Sequence, residues 1–156
     1  MEKETQSVLK KHNLSVTQVR VRILEIFLNA NGALSHSEIE KAGGTTFDRV
    51  TVYRTLQVFE EKGVIHAIPT ADNSVRYALC KETCTEQHHH DNHVHFVCNI
   101  CGKTVCLDNI SIPSVKLPEG FLPGQVQMIV NGTCDVCQSL PASSKRRLSE
   151  ASSSKK

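Results

Sequence analysis

Cysteine recurs twice at one spacing, Cys98-x2-Cys101 and Cys134-x2-Cys137. Brought together, two such pairs place four thiolates at the corners of a tetrahedron, the cage that Zn2+ prefers in closed structural sites. Any fold of this chain must then bring residue 98 beside residue 134, and the 32 residues between the pairs must make that return. This interval exceeds the roughly 15 to 20 residues of a simple zinc ribbon, so the intervening chain has to build strands of its own. The competing reading is a disulfide or a set of free thiols. Spacing favours metal, as does the odd total of seven cysteines, because a reducing compartment keeps thiols available as ligands.

That compartment is expected to be the cytoplasm. No apolar run approaches the roughly 18 residues of a membrane helix, and residues 1–11 lack the charged-then-apolar order of a secretory leader. With 156 residues, 39% of them hydrophobic, the chain has material for one moderate domain or two small ones. A small domain gains from metal bracing. The formal charge of +2 hides an asymmetry, since residues 139–156 carry +4 and residues 1–138 carry −2. Bulk charge therefore does not announce a nucleic-acid binder, and such a claim must rest on local arrangement. The Ser- and Lys-rich segment 139–156 is expected to be disordered. It reads as a solubilising end or an auxiliary phosphate-binding arm.

In the N-terminal half, Val16, Val19, Ile23, Ile26, Phe27 and Ala30 recur at helical spacing. A capping-box pattern, Ser15-x-x-Gln18, opens this helix, and Asn31-Gly32 ends it. A second box, Ser35-x-x-Glu38, opens a short helix through Ala42 that stops at Gly43-Gly44. The third helix spans roughly Arg49 to Lys62 by its period. Stepping about 100° per residue puts Val52, Leu56 and Phe59 on the core side and turns Val50, Tyr53, Arg54 and Gln57 away. Val64 to Ile68 and Val75 to Leu79, joined by a turn at Thr70 to Ser74, read as a hairpin. Three helices and a hairpin make a winged helix-turn-helix, whose second helix of the pair enters the major groove of double-stranded DNA. Arg54 can read guanine or hold phosphate, and the Tyr53 ring can meet a thymine methyl or the backbone. The alternative is that both pack against the rest of the protein.

A second field of soft ligands lies beside the first cysteine pair: His88, His89, His90, His93 and His95, with Cys80 and Cys84 upstream. One closed site cannot use them all, and the surplus points to a sensor. His93 and His95 lie two apart on an expected strand, so their side chains share one face and can grip one ion. Thr104 to Leu107 alternates like a strand, Gln125 to Val130 reads as a second strand leading back to Gly132, and Ser114 to Leu117 is helix-like.

Thr51-Val52-Tyr53-Arg54-Thr55-Leu56, then His93-x-His95-x2-Cys98-x2-Cys101-Gly102-Lys103 and Gly132-x-Cys134-x2-Cys137, resemble the ferric uptake regulator family of bacterial repressors over residues 9 to 138. The resemblance implies an α+β chain: an N-terminal winged helix-turn-helix DNA-binding domain (1–82) and a small C-terminal α/β zinc-knuckle dimerisation domain (83–138), followed by the tail (139–156). It implies a homodimer on operator DNA, structural Zn2+ on Cys98, Cys101, Cys134 and Cys137, and DNA contacts from Thr51, Tyr53, Arg54 and Gln57. Metal at a separate sensing site would favour the DNA-binding form. The iron and peroxide branches carry an acidic residue and a histidine where this chain has Ala78 and Ala33. Here Cys80 follows Tyr77-Ala78-Leu79, and His66 stands on the facing wing strand, which resembles the zinc uptake regulator branch.

A thiolate with imidazoles in tetrahedral array suits zinc, whereas six-coordinate carboxylate sites suit Fe2+ or Mn2+. The expected sensing site is His66, Cys80, His93 and His95. His88, His89 and His90 read as a solvated loop with weak auxiliary affinity. Cys84 and Cys106 fit three roles equally: extra ligands, redox-sensitive thiols or ordinary residues. An iron- or peroxide-responsive regulator of the same family is the near alternative, and a zinc-buffering or chaperone protein without DNA binding is the distant one. Zinc deaminases are evoked by His36-x-Glu38, but their signature needs Pro before the first cysteine, where Val97 and Thr133 stand. Four thiolates leave no open position for water, so neither catalysis nor a small-molecule substrate is expected.

Overall fold

Local stop and start signals divide the chain's first 80 residues into short, capped elements. The structure, a computed structural model, describes residues 2–70, 74–80, 93–124, 126–145 and 147. Two compact units emerge, Met1–His90 and Asp91–Lys156. The divide and the boundary expected after residue 82 both fall within 81–92, outside the described residues.

In the first unit, helix α1 (Glu2–Lys11) adds to the three helices expected. It ends in a Schellman motif: Leu14 N–H donates to Leu9 C=O (2.9 Å) and Asn13 N–H to Lys10 C=O (3.1 Å). Asn13 stands at φ 55°, the left-handed position that asparagine tolerates better than most residues. Leu9 and Leu14 are both buried beneath it.

Helix α2 (Gln18–Leu28) is capped by Thr17, whose side chain accepts from Arg20 N–H, and not by Ser15 as the box pattern predicts. Ser15 instead accepts the Arg20 guanidinium through its carbonyl and hydroxyl. Thr17 is the last extended residue before the helix, so the cap falls to it. Val16 consequently lies outside the helix and is exposed, while Ile23, Leu24 and Phe27 form the buried stripe.

Helix α3 (His36–Gly43) starts with the predicted box, in which Ser35 Oγ accepts from Glu38 N–H and Glu38 Oε2 accepts from Ser35 N–H. Asp48 caps α4 (Arg49–Glu61) through Thr51 N–H at 2.8 Å. Another Schellman motif closes α4, with Val64 N–H on Phe59 C=O at 2.8 Å and Gly63 at φ 71°. Strands β1 (Leu34–Ser35), β2 (Ile65–Pro69) and β3 (Val75–Leu79) pair antiparallel in the order β1-β3-β2. Thr70 N–H to Ser74 C=O at 3.0 Å closes the wing hairpin. Leu9, Ile23, Leu24, Ile39, Leu56 and Phe59 sit at the centre of this unit's core.

In the second unit, β4 (His93–Cys98) is the middle strand, antiparallel to β5 (Thr104–Ser111) and parallel to β6 (Met128–Gly132). Helix α5 (Asp135–Ser139) follows. Ser114 to Leu117 is coil and not helix-like as its pattern suggests. Pro113 and Pro118 bracket only four residues there, and Leu117, preceding a proline, is driven from the helical region. In the segment expected to be disordered, residues 142–145 form a helical turn closed by Lys145 N–H on Pro141 C=O. Val115, Leu117, Phe121, Leu122, Met128 and Val130 are exposed, Leu122 at 93%.

Candidate metal centres and nucleic-acid interface

Parallel pairing of β4 with β6 aligns Cys98 with Gly132 and so delivers the two cysteine pairs to one place. Asn99 N–H donates to Gly132 C=O at 2.8 Å, tying the turn after β4 to the end of β6. The first knuckle folds back through Gly102 N–H on Cys98 C=O (2.9 Å), with Gly102 at φ 72°.

The sulfur atoms of Cys98, Cys101, Cys134 and Cys137 all lie within 4.8 Å of one another. A tetrahedral zinc with bonds of about 2.3 Å requires sulfurs about 3.8 Å apart, and Cys101 Sγ to Cys134 Sγ is 3.8 Å. The donor set therefore fits zinc in both chemistry and span. Cys134 N–H points at Cys98 Sγ (3.4 Å) and Cys137 N–H at Cys134 Sγ (3.5 Å).

Burial pushes the Cys98 thiol up, but the backbone amides of Cys101, Cys134 and Ile100 outweigh it and bring the group down to about 6. Burial, reinforced by the neighbouring thiols, pushes Cys137 up to about 12 and raises Cys101 as well. Four thiolates thus need a cation to share this cage. Metal loading must release protons, and the cage weakens as pH falls.

A second donor group lies farther along β4 within the same unit. His93 and His95 are both buried, with ring centroids 4.6 Å apart. Their donor nitrogens and Cys106 Sγ lie within 4.8 Å of one another, because Cys106 on β5 stands directly opposite His95. Sequence reasoning gave Cys106 no partner, since strand register across 10 intervening residues leaves no local signal.

In the first unit, the Cys80 thiol lies 3.6 Å from His66 Nδ1. His66 is buried on β2, and Cys80 is placed just past β3 by its N–H bond to Val64 C=O (2.9 Å). Ala78 pairs with His66 across the hairpin. Ala33 and Ala78 are buried methyl positions that offer no donor. Cys84, His88, His89 and His90 lie outside the described residues.

Helix α4 presents the expected two faces. Val52, Leu56 and Phe59 are buried, while Val50, Tyr53, Arg54 and Gln57 face out, Tyr53 at 59% exposure. Thr51 is half-buried and spends its hydroxyl on Asp48 Oδ2 at 2.7 Å. His36 at the start of α3 lies 6.3 Å from the Tyr53 ring, beside the outward face of α4, a placement that the His36-x-Glu38 spacing did not suggest. The wing is fastened to α3 by Arg76, which donates to Glu38 Oε2 and to Ala33 C=O, both at 3.0 Å. Burial acts to raise the Glu38 carboxyl, but the Ser35 hydrogen bonds and the Arg76 charge hold it below the usual carboxylate value.

A winged helix with an outward Tyr–Arg face, on one chain with a four-thiol cage and a His–Cys donor group, defines the class: a metal-binding transcription regulator. The chain belongs to the ferric uptake regulator family, whose pattern it matches over residues 11–118. A ferric uptake regulation protein of Staphylococcus aureus is 31% identical over 142 residues, covering 84% of this chain and 93% of that protein. The solved zinc uptake regulator complexed with zinc and DNA has a TM-score of 0.61 at 20% identity, covering 87% of this chain and 91% of that one. The Vibrio cholerae ferric uptake regulator gives 0.57 at 20% identity, covering 84% and 99%. Among the described residues, no helix is long and apolar enough to cross a membrane.

Proposed function

We propose that this chain is a cytoplasmic, zinc-sensing repressor that binds operator DNA as a homodimer and controls metal-uptake genes, and that it is not an enzyme. The observation that carries zinc over iron or manganese is the donor chemistry. Thiols and imidazoles stand at the candidate centres, and alanines occupy the two positions where an acid and a further histidine would serve a harder ion. Zinc supplies a compact tetrahedral junction with no redox change. Structural zinc is assigned to Cys98, Cys101, Cys134 and Cys137. The sensing ion is assigned to His93 and His95 together with the His66–Cys80 pair.

Donors from two modules can share one ion only at one arrangement of those modules, so loading selects the conformer whose recognition helices match successive major grooves. Moving that balance from 1:99 to 99:1 takes about 5.5 kcal/mol of differential affinity, within reach of a thiolate–imidazole site. Operator DNA must tighten zinc binding by the same factor. Tyr53, Arg54 and Gln57 are the proposed base and phosphate contacts, with Thr51 at the end of the helix that carries them. The exposed apolar surface of the second unit supports the homodimer.

The Staphylococcus aureus relative is named for iron, which favours an iron-responsive reading as the second choice. Operator affinity against buffered zinc, iron and manganese separates the two, and a buffering protein would show no operator binding at all. The decisive variant is Cys80→Ser. It should keep its structural zinc and lose the zinc-dependence of operator binding; normal dependence in that variant would remove Cys80 from the sensing site.

A further inference from the structure

His36 has a setting that helix capping does not explain. It is the first residue of α3, directly after the Ser35 cap, where the helix dipole favours an anion. Its side chain is nevertheless only 24% exposed. Glu40, one turn on, brings Oε2 to 3.8 Å from its Nδ1, and the Tyr53 ring of α4 stands with its centroid 6.3 Å away at an interplanar angle of 45°. Tilted rings with centroids about 4.5 to 7 Å apart attract one another edge to face. The backbone beneath His36 is held firmly, since the Ser35–Glu38 box locks the start of α3 and Arg76 donates to Glu38 Oε2 at 3.0 Å. Tyr53, by contrast, is 59% exposed, and a tyrosine open to water has several staggered rotamers to choose among. A fixed ring on one helix thus meets an exposed one on the next.

We propose that His36 is a positioning residue for operator recognition: its imidazole, carried by the first helix of the helix-turn-helix pair, walls in the Tyr53 ring on the second and holds the phenol in the orientation that meets DNA. This rests on the reading that Tyr53 contacts the operator. Ordering a side chain at an interface costs free energy on binding. A ring supplied by α3 removes part of the freedom of Tyr53 before DNA arrives, so affinity rises without a new contact to the duplex. His36 therefore acts through Tyr53, and its effect exists only while Tyr53 is present. Because the wall is a flat ring, phenylalanine can replace the imidazole where a methyl group cannot.

The test is a double-variant cycle on full-length, zinc-loaded protein, using the DNA duplex that the wild type selects from a random-sequence pool. His36→Ala should weaken binding about two- to tenfold, the range of an aromatic pair. In a Tyr53→Ala background the same change should cost nothing further. His36→Phe should restore most of the lost affinity, which separates a lost wall from a damaged helix. The chain holds two tyrosines, so aromatic NMR of the DNA-free protein can follow each ring. His36→Ala should move the Tyr53 signals while the melting temperature holds. Equal affinity of wild type and His36→Ala would overturn the proposal, as would an undiminished loss in the Tyr53→Ala background, or no recovery of affinity in folded His36→Phe. Binding by Tyr53→Ala as tight as that of the wild type would instead remove Tyr53 from the interface, and the reading of this face would fall together with the proposal.

Discussion

Stripping the ion from the four-cysteine cage should unfold the second unit and spare the first. The cluster around the cage consists of Cys98, Cys134 and Cys137, with Phe96, Ile100 and Leu140 packed against it, so its centre is the metal's own ligand set. The first unit has a cluster of leucine, isoleucine and phenylalanine side chains that owes nothing to metal. Structural zinc sites bind with about 10 to 16 kcal/mol, against a typical total domain stability of about 5 to 15 kcal/mol. Removing the ion therefore takes away as much as the whole net stability of a domain this size. Each 1.4 kcal/mol is about a factor of ten in protection from exchange, so a loss of even about 4 kcal/mol lowers protection about a thousandfold. Amide hydrogen exchange with mass spectrometry, in reducing buffer with and without a strong chelator, reads both units in one sample. Peptides covering β4 and β6 should lose protection at that scale or more, while peptides from Val52 to Phe59 should keep theirs. Full protection of β4 and β6 in verified zinc-free protein would refute the reasoning.

Arg54→Ala should cost about 1 to 3 kcal/mol of operator binding and shift the first unit's stability by less than about 0.5 kcal/mol, as expected of an exposed site; electrophoretic mobility shift and denaturation on the same preparation check both. Glu38→Gln should destabilise the first unit by about 0.5 to 1 kcal/mol at neutral pH, because its partly exposed pair with Arg76 is screened by solvent. The folded carboxyl titrates below its ordinary 4.5, so the contribution is fully present above that value and is lost as pH falls through the lowered folded pKa. Urea melts should show wild type and variant converging in acid, and a difference that persists there would place the effect elsewhere.

What the sequence disclosed depended on how local its signals were. The Ser35–Glu38 box, the two faces of α4 and the paired Cys-x2-Cys knuckles each lie within a few residues, and each stands where its spacing put it. Helix α1 escaped notice because Val8 and Leu9 are its only aliphatic residues and its buried Thr5 is polar. Its stop is Asn13 and not the glycine that usually announces one. The cap of α2 fell to Thr17 over Ser15, a choice between two suitable residues two positions apart that only the backbone conformation decides. The short strand β1 gains its ladder only from β3, more than 40 residues later, and tertiary pairing of that kind leaves no periodicity to read. Cys106 follows the same logic, since its partnership with His95 is a fact of register. The donor types were legible throughout; which strands carry them side by side was not.

The central claim is that a bound ion converts a poor operator binder into a good one. Its most direct measurement is operator affinity at fixed salt for the homodimer holding only its cage zinc, compared with the same protein supplied with buffered zinc at its second site. Loading should raise operator affinity greatly, with a matching rise in zinc affinity when operator is present. Equal affinity of the two forms for operator would contradict it.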